Sequence, residues 1–352
     1  MLPKLGYNKV IMPTLWDRER NKRTQAKKEK ALQKSLRSGK SAPETESEDA
    51  ETFEIGVLAG IHSKGFEVMK DDVLMPALLD RENCLQEAND FAVGDHVFFQ
   101  RGGEDDVAII FGRKERMSFV TRSRADRTRP NAPLEEHVLS ANVDIGIITV
   151  AVQDPEFHQR FIDRYLAILQ AGNVSPVICL TKIDLTDVRP ETLEFYQQIH
   201  IPIIKTSFIR SEGIEALKDA LRGKTAVFLG QSGVGKSTLM NVLIPGRNIA
   251  TREVSEKTGK GRHTTTGSSL LKWDTNSYII DTPGIRSLGI EQLPKKEIRF
   301  LFPEFETLDT PCRFSDCIHM NEPGCAIKQA LEQKNSTINQ YRYESYLKMM
   351  EE

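Results

Sequence analysis

One segment of this sequence has the residues of a phosphate-binding loop. Residues 230–237 read GQSGVGKS and match the pattern G-x-x-x-x-G-K-[ST] in full. Glycines in such a loop let the backbone wrap a phosphate with its N–H groups pointing inward. We predict that Lys236 is a catalytic cation that reaches the β- and γ-phosphates, and that the Ser237 hydroxyl binds Mg²⁺. The predicted nucleotide contacts here are Gly230, Gln231, Ser232, Gly233, Val234, Gly235, Lys236, Ser237 and Thr238.

A second segment, downstream of the loop, has the residues of a γ-phosphate switch. Residues 281–284 read DTPG, in which Asp281 suits the Mg²⁺ shell through water and Gly284 is free to turn toward the γ-phosphate. The Gly- and Thr-rich stretch 258–266 lies between loop and switch, and it is typical of a mobile segment whose threonine joins Mg²⁺ in the triphosphate state. We assign Thr265 as that ligand, although the pattern does not distinguish it from its neighbours Thr264 and Thr266.

The residue after DTPG bears on catalysis. Ras-type GTPases position the attacking water with a Gln just after this motif, but this chain has Ile285 there, which cannot orient water. We predict that His263 in the Gly- and Thr-rich stretch replaces it, because a neutral imidazole can hydrogen-bond water. The alternative is that His263 is a solvent-exposed loop residue.

A third segment is a candidate for reading a guanine base. Residues 181–184 read TKID and follow the apolar run 174–180. The Asp184 carboxylate can accept hydrogen bonds from guanine N1 and the exocyclic amine, which adenine does not offer, and Lys182 would lie along the base. The usual motif opens with Asn, whereas Thr181 has a hydroxyl that replaces only part of an amide's hydrogen bonding. The predicted base contacts, including the pair after the next apolar run, are Thr181, Lys182, Ile183, Asp184, Thr206 and Ser207.

Three cysteines and a histidine cluster near the carboxyl end. The spacing Cys312-x₄-Cys317-x-His319-x₅-Cys325 supplies three thiolates and one imidazole, a closed tetrahedral set typical of structural zinc. Because four protein ligands leave no open position, we do not expect catalysis at this metal. The alternative is chance clustering of buried cysteines. Cysteines spaced for a metal, without a disulfide framework, indicate a reducing compartment.

The elements around these motifs predict several domains. Short β-rich runs punctuated by glycine predict a small barrel, and the pattern alone does not separate an OB type from an SH3-like one. Further along, apolar runs alternate with helical patterns, which predicts an α/β domain whose mostly parallel sheet is covered on both faces. The barrel runs are 53–61, 65–70, 95–101 and 107–113, the α/β apolar runs are 143–152, 174–180, 201–204, 225–229 and 278–280, and the helical patterns are 157–170, 191–199, 213–221 and 238–243.

The order of the motifs constrains the topology of the predicted domain. The guanine-reading candidate precedes the phosphate loop, whereas in an ordinary GTPase it follows, so we predict a circularly permuted P-loop GTPase domain. The predicted organisation is a basic, disordered arm, a barrel, the permuted domain and a helical, metal-binding domain, at residues 1–50, 51–118, 119–290 and 291–352.

The charged residues are unevenly distributed along the chain. The 352 residues have a net charge of −2, which argues against a globally basic nucleic-acid binder, but residues 1–40 have a net charge of +9. This segment is either a solvated, disordered tail or an arm that neutralises RNA phosphates. No apolar stretch has the length of a membrane span and no signal-peptide core is present at the amino terminus, so we expect a cytoplasmic protein without a membrane partner.

The permuted motif order, the GRHTTT stretch, the apolar residue after DTPG and the cysteine spacing together resemble one family, over about residues 50 to 345. It is the RsgA family, also called YjeQ or YloQ, of circularly permuted GTPases of small-subunit ribosome biogenesis. The resemblance implies an OB-fold barrel, a permuted GTPase domain and a zinc-binding helical domain. It also implies a role late in 30S maturation, with a weak GTPase activity that the 30S subunit strongly stimulates.

By the same resemblance, the zinc ligands are the Cys₃His set, the nucleotide contacts are TKID and GQSGVGKS, and the catalytic histidine is His263. The expected partners are GTP, GDP, and the 30S subunit with its rRNA, and we expect a monomer. The alternative function is a non-catalytic, GTP-dependent RNA- or ribosome-binding module. A P-loop ATPase or kinase is a third possibility, against which Asp184 argues.

Overall fold

The structure is a computed structural model of the 352-residue chain. It describes residues 53–63, 65–84, 86–102, 107–124, 135–186, 190–246, 268–282, 295–333 and 338–351. The predicted arm 1–50 lies outside the described residues. So do the predicted switch residues His263, Thr264, Thr265, Thr266 and Gly284.

The first five strands close into a barrel. They are β1 Glu54–His62, β2 Gly65–Lys70, β3 Val73–Leu79, β4 His96–Arg101 and β5 Ala108–Arg113. The strand order is β1-β2-β3-β5-β4, and pairing of β4 with β1 closes the ring. Only the β3–β5 pair is parallel among these strands. This arrangement is the OB type of barrel, which decides between the two alternatives. The predicted runs omitted β3, whose exposed Pro76 interrupts an ordinary strand pattern.

A two-stranded hairpin follows the barrel. Strand β6 Phe119–Arg124 pairs antiparallel with β7 Glu135–Ala141. The sequence pattern did not predict this hairpin.

The α/β expectation is confirmed. The next strands are β8 Ile145–Ala151, β9 Ser175–Thr181, β10 Ile203–Lys205, β11 Thr225–Leu229, β12 Ser269–Asp274 and β13 Ser277–Asp281. They lie in the order β10-β9-β8-β11-β13-β12, parallel except for β12. The helices between them are α1 Gln159–Ala171, α2 Pro190–Gln198, α3 Ile214–Leu221 and α4 Lys236–Leu243.

Alternate side chains of these strands bury on opposite faces of the sheet. Ile148 and Ile178 pack in the core that contains α1 and α2, whereas Ile147 and Val177 pack in the core that contains α3 and α4. A sheet covered on both faces needs strands that are apolar throughout, which is why β8 is buried along its whole length.

The barrel and the sheet are joined. Strand β1 pairs antiparallel with β12 at Gly60 and Ser269, and Lys272 Nζ lies 2.5 Å from Asp72 Oδ2.

The carboxyl-terminal part is helical. It comprises α5 Lys295–Ile298, the 3₁₀ segments Arg299–Leu301 and Pro303–Thr307, α6 Ala326–Leu331 and α7 Gln340–Glu351. Its buried aromatic residues, among them Phe302 and Tyr346, belong to the same core as α1. Among the described residues, no helix is long and apolar enough to cross a membrane.

Candidate nucleotide and metal sites

The phosphate-loop sequence connects a buried strand to a helix, as its chemistry requires. Strand β11 leads into Gly230, and α4 begins at Lys236. Gly230 has φ +143°, and a Cβ there would lie 2.3 Å from the Thr149 carbonyl oxygen of β8, so only glycine fits. Gly235 precedes the helix with φ +98°. The loop backbone therefore has the conformation that lets N–H groups surround an anion at the start of a helix.

The Lys236 side chain lies over this loop. Its Nζ donates to the carbonyl oxygens of Gly230 at 2.7 Å and Gln231 at 2.5 Å. The ammonium is thus positioned at the mouth of the loop, where phosphates would lie. Ser237 follows in the first turn of α4 and is half-buried.

The residue that replaces the usual Asn ties the two predicted ligand loops together. Thr181 ends β9 and is fully buried. Its Oγ1 donates to the carbonyl oxygen of Val234 in the phosphate loop at 2.6 Å, and the Val150 carbonyl is 3.2 Å away. One hydroxyl therefore joins segments that are 53 residues apart in the chain. The reduced hydrogen-bonding capacity of Thr is sufficient for this contact.

Asp184 is held in place by Ser207, which follows strand β10. Ser207 Oγ donates to Asp184 Oδ1 at 2.5 Å, and Ser207 Oγ accepts the Arg210 N–H at 3.1 Å. The Ser207 hydroxyl, more than the nearby charges of Arg210 and Lys182, holds the pKa of Asp184 below its ordinary value. The carboxylate therefore stays ionised and acts only as an acceptor, which is what the two guanine N–H donors require.

Two other predicted base contacts have specific positions. Lys182 has φ +57°, and its Nζ donates to the Asp154 carbonyl oxygen in the loop after β8. Thr206 is buried, and its Oγ1 lies 3.3 Å from the Leu180 carbonyl oxygen, so this hydroxyl supports the strand ends. Ile183 is half-buried.

Asp281 is the last residue of β13, which pairs in parallel with β11. The aspartate therefore lies at the same edge of the sheet as the phosphate loop. The permuted chain thus brings segments 181–184, 206–207 and 230–238 and Asp281 to the carboxyl ends of neighbouring parallel strands, where open α/β sheets bind ligands.

The Cys₃His set converges on one point. One ligand atom from each of Cys312, Cys317, His319 and Cys325 lies within 4.8 Å of the other three. His319 Nδ1 is 3.6 Å from Cys312 Sγ and 3.5 Å from Cys325 Sγ. Zn–S bonds of about 2.3 Å and Zn–N bonds of about 2.0–2.1 Å at a tetrahedral angle give an S···N distance of about 3.6 Å. The residues therefore fit one tetrahedral metal ion.

Burial changes the protonation of the same residues in two ways. It raises the pKa of the Cys317 thiol to about 12 and lowers the pKa of His319, which favours the neutral imidazole that binds metals. A dication would supply the charge that stabilises buried thiolates. The backbone N–H of Ala326 points at Cys312 Sγ at 3.2 Å. The Tyr343 hydroxyl donates to the His319 carbonyl oxygen at 2.6 Å and fixes the backbone of that ligand.

Comparison with known proteins agrees with this geometry. The sequence model of a family described as RsgA GTPase matches residues 113–291. The small ribosomal subunit biogenesis GTPase RsgA of Chlorobaculum tepidum is 39% identical over 269 residues, which cover 75% of this chain and 86% of the relative. That of Bacteroides fragilis is 36% identical over 273 residues, which cover 76% and 86%.

Two solved structures are also similar. The crystal structure of YjeQ from Thermotoga maritima has a TM-score of 0.65 and 31% identity, covering 85% of this chain and 98% of that one. The structure of YloQ, described as a circularly permuted GTPase, has a TM-score of 0.63 and 26% identity, covering 87% and 97%.

Proposed function

Because this chain belongs to the RsgA GTPase family, we propose that it is a GTPase of small-ribosomal-subunit biogenesis. It would hydrolyse GTP to GDP and phosphate, with stimulation by the 30S subunit, and hydrolysis would be coupled to its release from that subunit. The observation that carries the proposal is the Thr181–Val234 hydrogen bond of 2.6 Å. Through it, a base-reading segment and a phosphate loop that occur in inverted order along the chain form one guanine-nucleotide site.

The predicted site residues have separate roles in this proposal. The phosphate-loop backbone and Lys236 bind the β- and γ-phosphates, and charge that develops on them during transfer meets donors already in place. Asp184, held by Ser207, selects guanine. Mg²⁺ bound with GTP would neutralise phosphate charge, with Ser237 and Thr265 as its protein ligands and Asp281 acting through water. His263 is the proposed residue that positions the attacking water.

The metal centre has a structural role in this proposal. Zinc is the ion proposed for the Cys₃His set, because soft thiolates with one imidazole in a closed tetrahedron select it. The proposed partners are GTP, GDP, and the 30S subunit with its rRNA. Assembly of ribosomal subunits would place the protein in the cytoplasm.

The test is GTP turnover at limiting protein, with and without purified 30S subunits. We expect 30S subunits to raise the rate and 50S subunits to leave it unchanged. Lys236→Ala is expected to abolish both basal and stimulated turnover. Binding to 30S subunits without any turnover would refute the enzyme and favour the non-catalytic binding module.

A further inference from the structure

A buried ionic cluster connects the nucleotide-binding core to the metal-binding part. Arg342 on α7 is 1% exposed, and its Nη1 donates to Asp163 Oδ1 on α1 at 2.9 Å. Its Nε and Nη2 donate to the two carboxylate oxygens of Glu304 at 2.7 and 3.3 Å. Asp163 and Glu304 are also buried, at 0% and 3% exposure. One planar cation thus holds two carboxylates that are far apart in sequence.

The charged groups of the cluster have further partners, and their hydrogen bonds have fixed directions. Asp163 also accepts hydrogen bonds from the Tyr196 hydroxyl at 2.7 Å and Ser345 Oγ at 2.5 Å. The guanidinium lies over the Phe302 ring, 4.4 Å from its centroid. Because a guanidinium is rigid and donates in fixed directions, these contacts define one orientation of α7 on α1. Rotation at this interface would leave buried charges without partners.

Each side of the cluster leads to one of the two sites. Helix α1 follows the loop after β8, in which the Asp154 carbonyl accepts a hydrogen bond from Lys182 of the base-reading segment. On the other side, Tyr343 and Tyr346 of α7 donate to the carbonyl oxygens of His319 and Ile318 in the metal-binding loop. The cluster is therefore a polar contact between an element that borders the nucleotide site and an element that holds the metal site.

We propose that Asp163, Glu304 and Arg342 form a joint that fixes the orientation of the metal-binding part on the GTPase core, and that this orientation transmits contact with the small subunit to the nucleotide site. The second half of the proposal rests on the proposed function. The three residues act as positioning residues, since within the part of the chain that the structure describes their hydrogen-bond partners lie outside the nucleotide segments.

The orientation is tested without a ribosomal subunit. Amino acids that carry a ketone replace Gln170 on α1 and Gln329 on α6, which are both exposed, and a nitroxide spin label is attached to each ketone. This chemistry leaves the native cysteines unmodified. Double electron–electron resonance should give one narrow distance distribution in the wild type and a broader one in Arg342→Lys. The lysine keeps the positive charge but loses the planar guanidinium that donates to both carboxylates. Asp163→Asn, which preserves shape, serves as the second variant should the first fail to fold. An unchanged distribution in the folded variants overturns the joint.

GTP turnover tests whether the joint transmits contact with the small subunit to the nucleotide site. In Arg342→Lys, basal hydrolysis and 30S binding should remain close to wild type, while stimulation falls by at least about fivefold, the lower end of usual coupling between sites. Glu215→Gln, which breaks the exposed 2.8 Å pair with Lys218, is the matched control and should change nothing. Full stimulation in the variant, or equal loss of basal and stimulated rates, refutes transmission. Absence of stimulation in the wild type refutes the proposed function instead, and the distance measurement still decides the joint.

Discussion

Thr181→Val is the perturbation that isolates the contact between the two nucleotide loops. Valine has nearly the volume and shape of threonine, so packing at this fully buried position is kept while the hydroxyl is removed. The Val234 carbonyl oxygen then loses the donor that lies 2.6 Å away. Val234 is 2% exposed, so water has little access to replace that donor.

The expected cost follows from leaving a buried acceptor without a partner. Such a loss destabilises proteins by about 1–3 kcal/mol. We expect the free energy of unfolding of the nucleotide-free protein to fall by that amount. Since bound GDP must contact both loops in one register, we also expect its dissociation constant to rise by at least about fivefold, the equivalent of roughly 1 kcal/mol.

The assays are denaturant unfolding for stability and titration of a fluorescent GDP analogue for affinity. Thr181→Ser is the matched control, because it keeps the hydroxyl and loses only a methyl group. It should retain most of the GDP affinity. If Thr181→Val changed neither stability nor affinity, or if the serine variant were as impaired as valine, the hydrogen bond would not be what joins the loops.

Three further predictions concern the base contact, the metal and the joint. Ser207→Ala should let the pKa of Asp184 rise toward its ordinary value, because the Ser207 hydroxyl holds that pKa down. GDP affinity is full above this pKa and is lost as pH falls through it, so the loss should begin at a higher pH in the variant than in wild type, in titrations over about pH 3 to 5. Cys317→Ser should lower the bound metal, measured by elemental analysis, and the thermal midpoint; chelation of wild type without any change in its midpoint would contradict a structural metal. Arg342→Met leaves two buried carboxylates without their cation and should cost about 3–5 kcal/mol in denaturant unfolding, whereas a loss no greater than that of Glu215→Gln would show that the cluster is not holding the interface.

The phosphate-loop motif and the metal-ligand set are both local in the sequence. The strand 225–229 and the phosphate loop are specified by consecutive residues, so they occur where the pattern placed them. The metal ligands also lie within one short segment, and their spacing alone indicated the set that the structure brings together. The α/β architecture followed from apolar runs long enough to be buried on both faces.

Features that depend on distant residues were not predictable in the same way. Strand β3 contains Pro76, and its place between β2 and β5 is fixed by barrel closure, which periodicity does not reveal. Arg342 occurs in the helical sequence QYRYESYLKMME, where an arginine ordinarily faces water. Its burial becomes favourable because two carboxylates approach it, that of Asp163, 179 residues away, and that of Glu304, 38 residues away. The hydroxyl role of Thr181 likewise depends on a contact across the sheet edge.

In the proposed function, the permuted chain forms a guanine-nucleotide site in which Asp184 reads the base. The most direct measurement is competition between GDP and xanthosine diphosphate for wild type and Asp184→Asn. Xanthine has a carbonyl where guanine has its exocyclic amine, so an asparagine amide can donate where the carboxylate accepted. If Asp184 reads the base, wild type should prefer GDP and Asp184→Asn should prefer xanthosine diphosphate. Unchanged preference for GDP in a folded Asp184→Asn variant would contradict it.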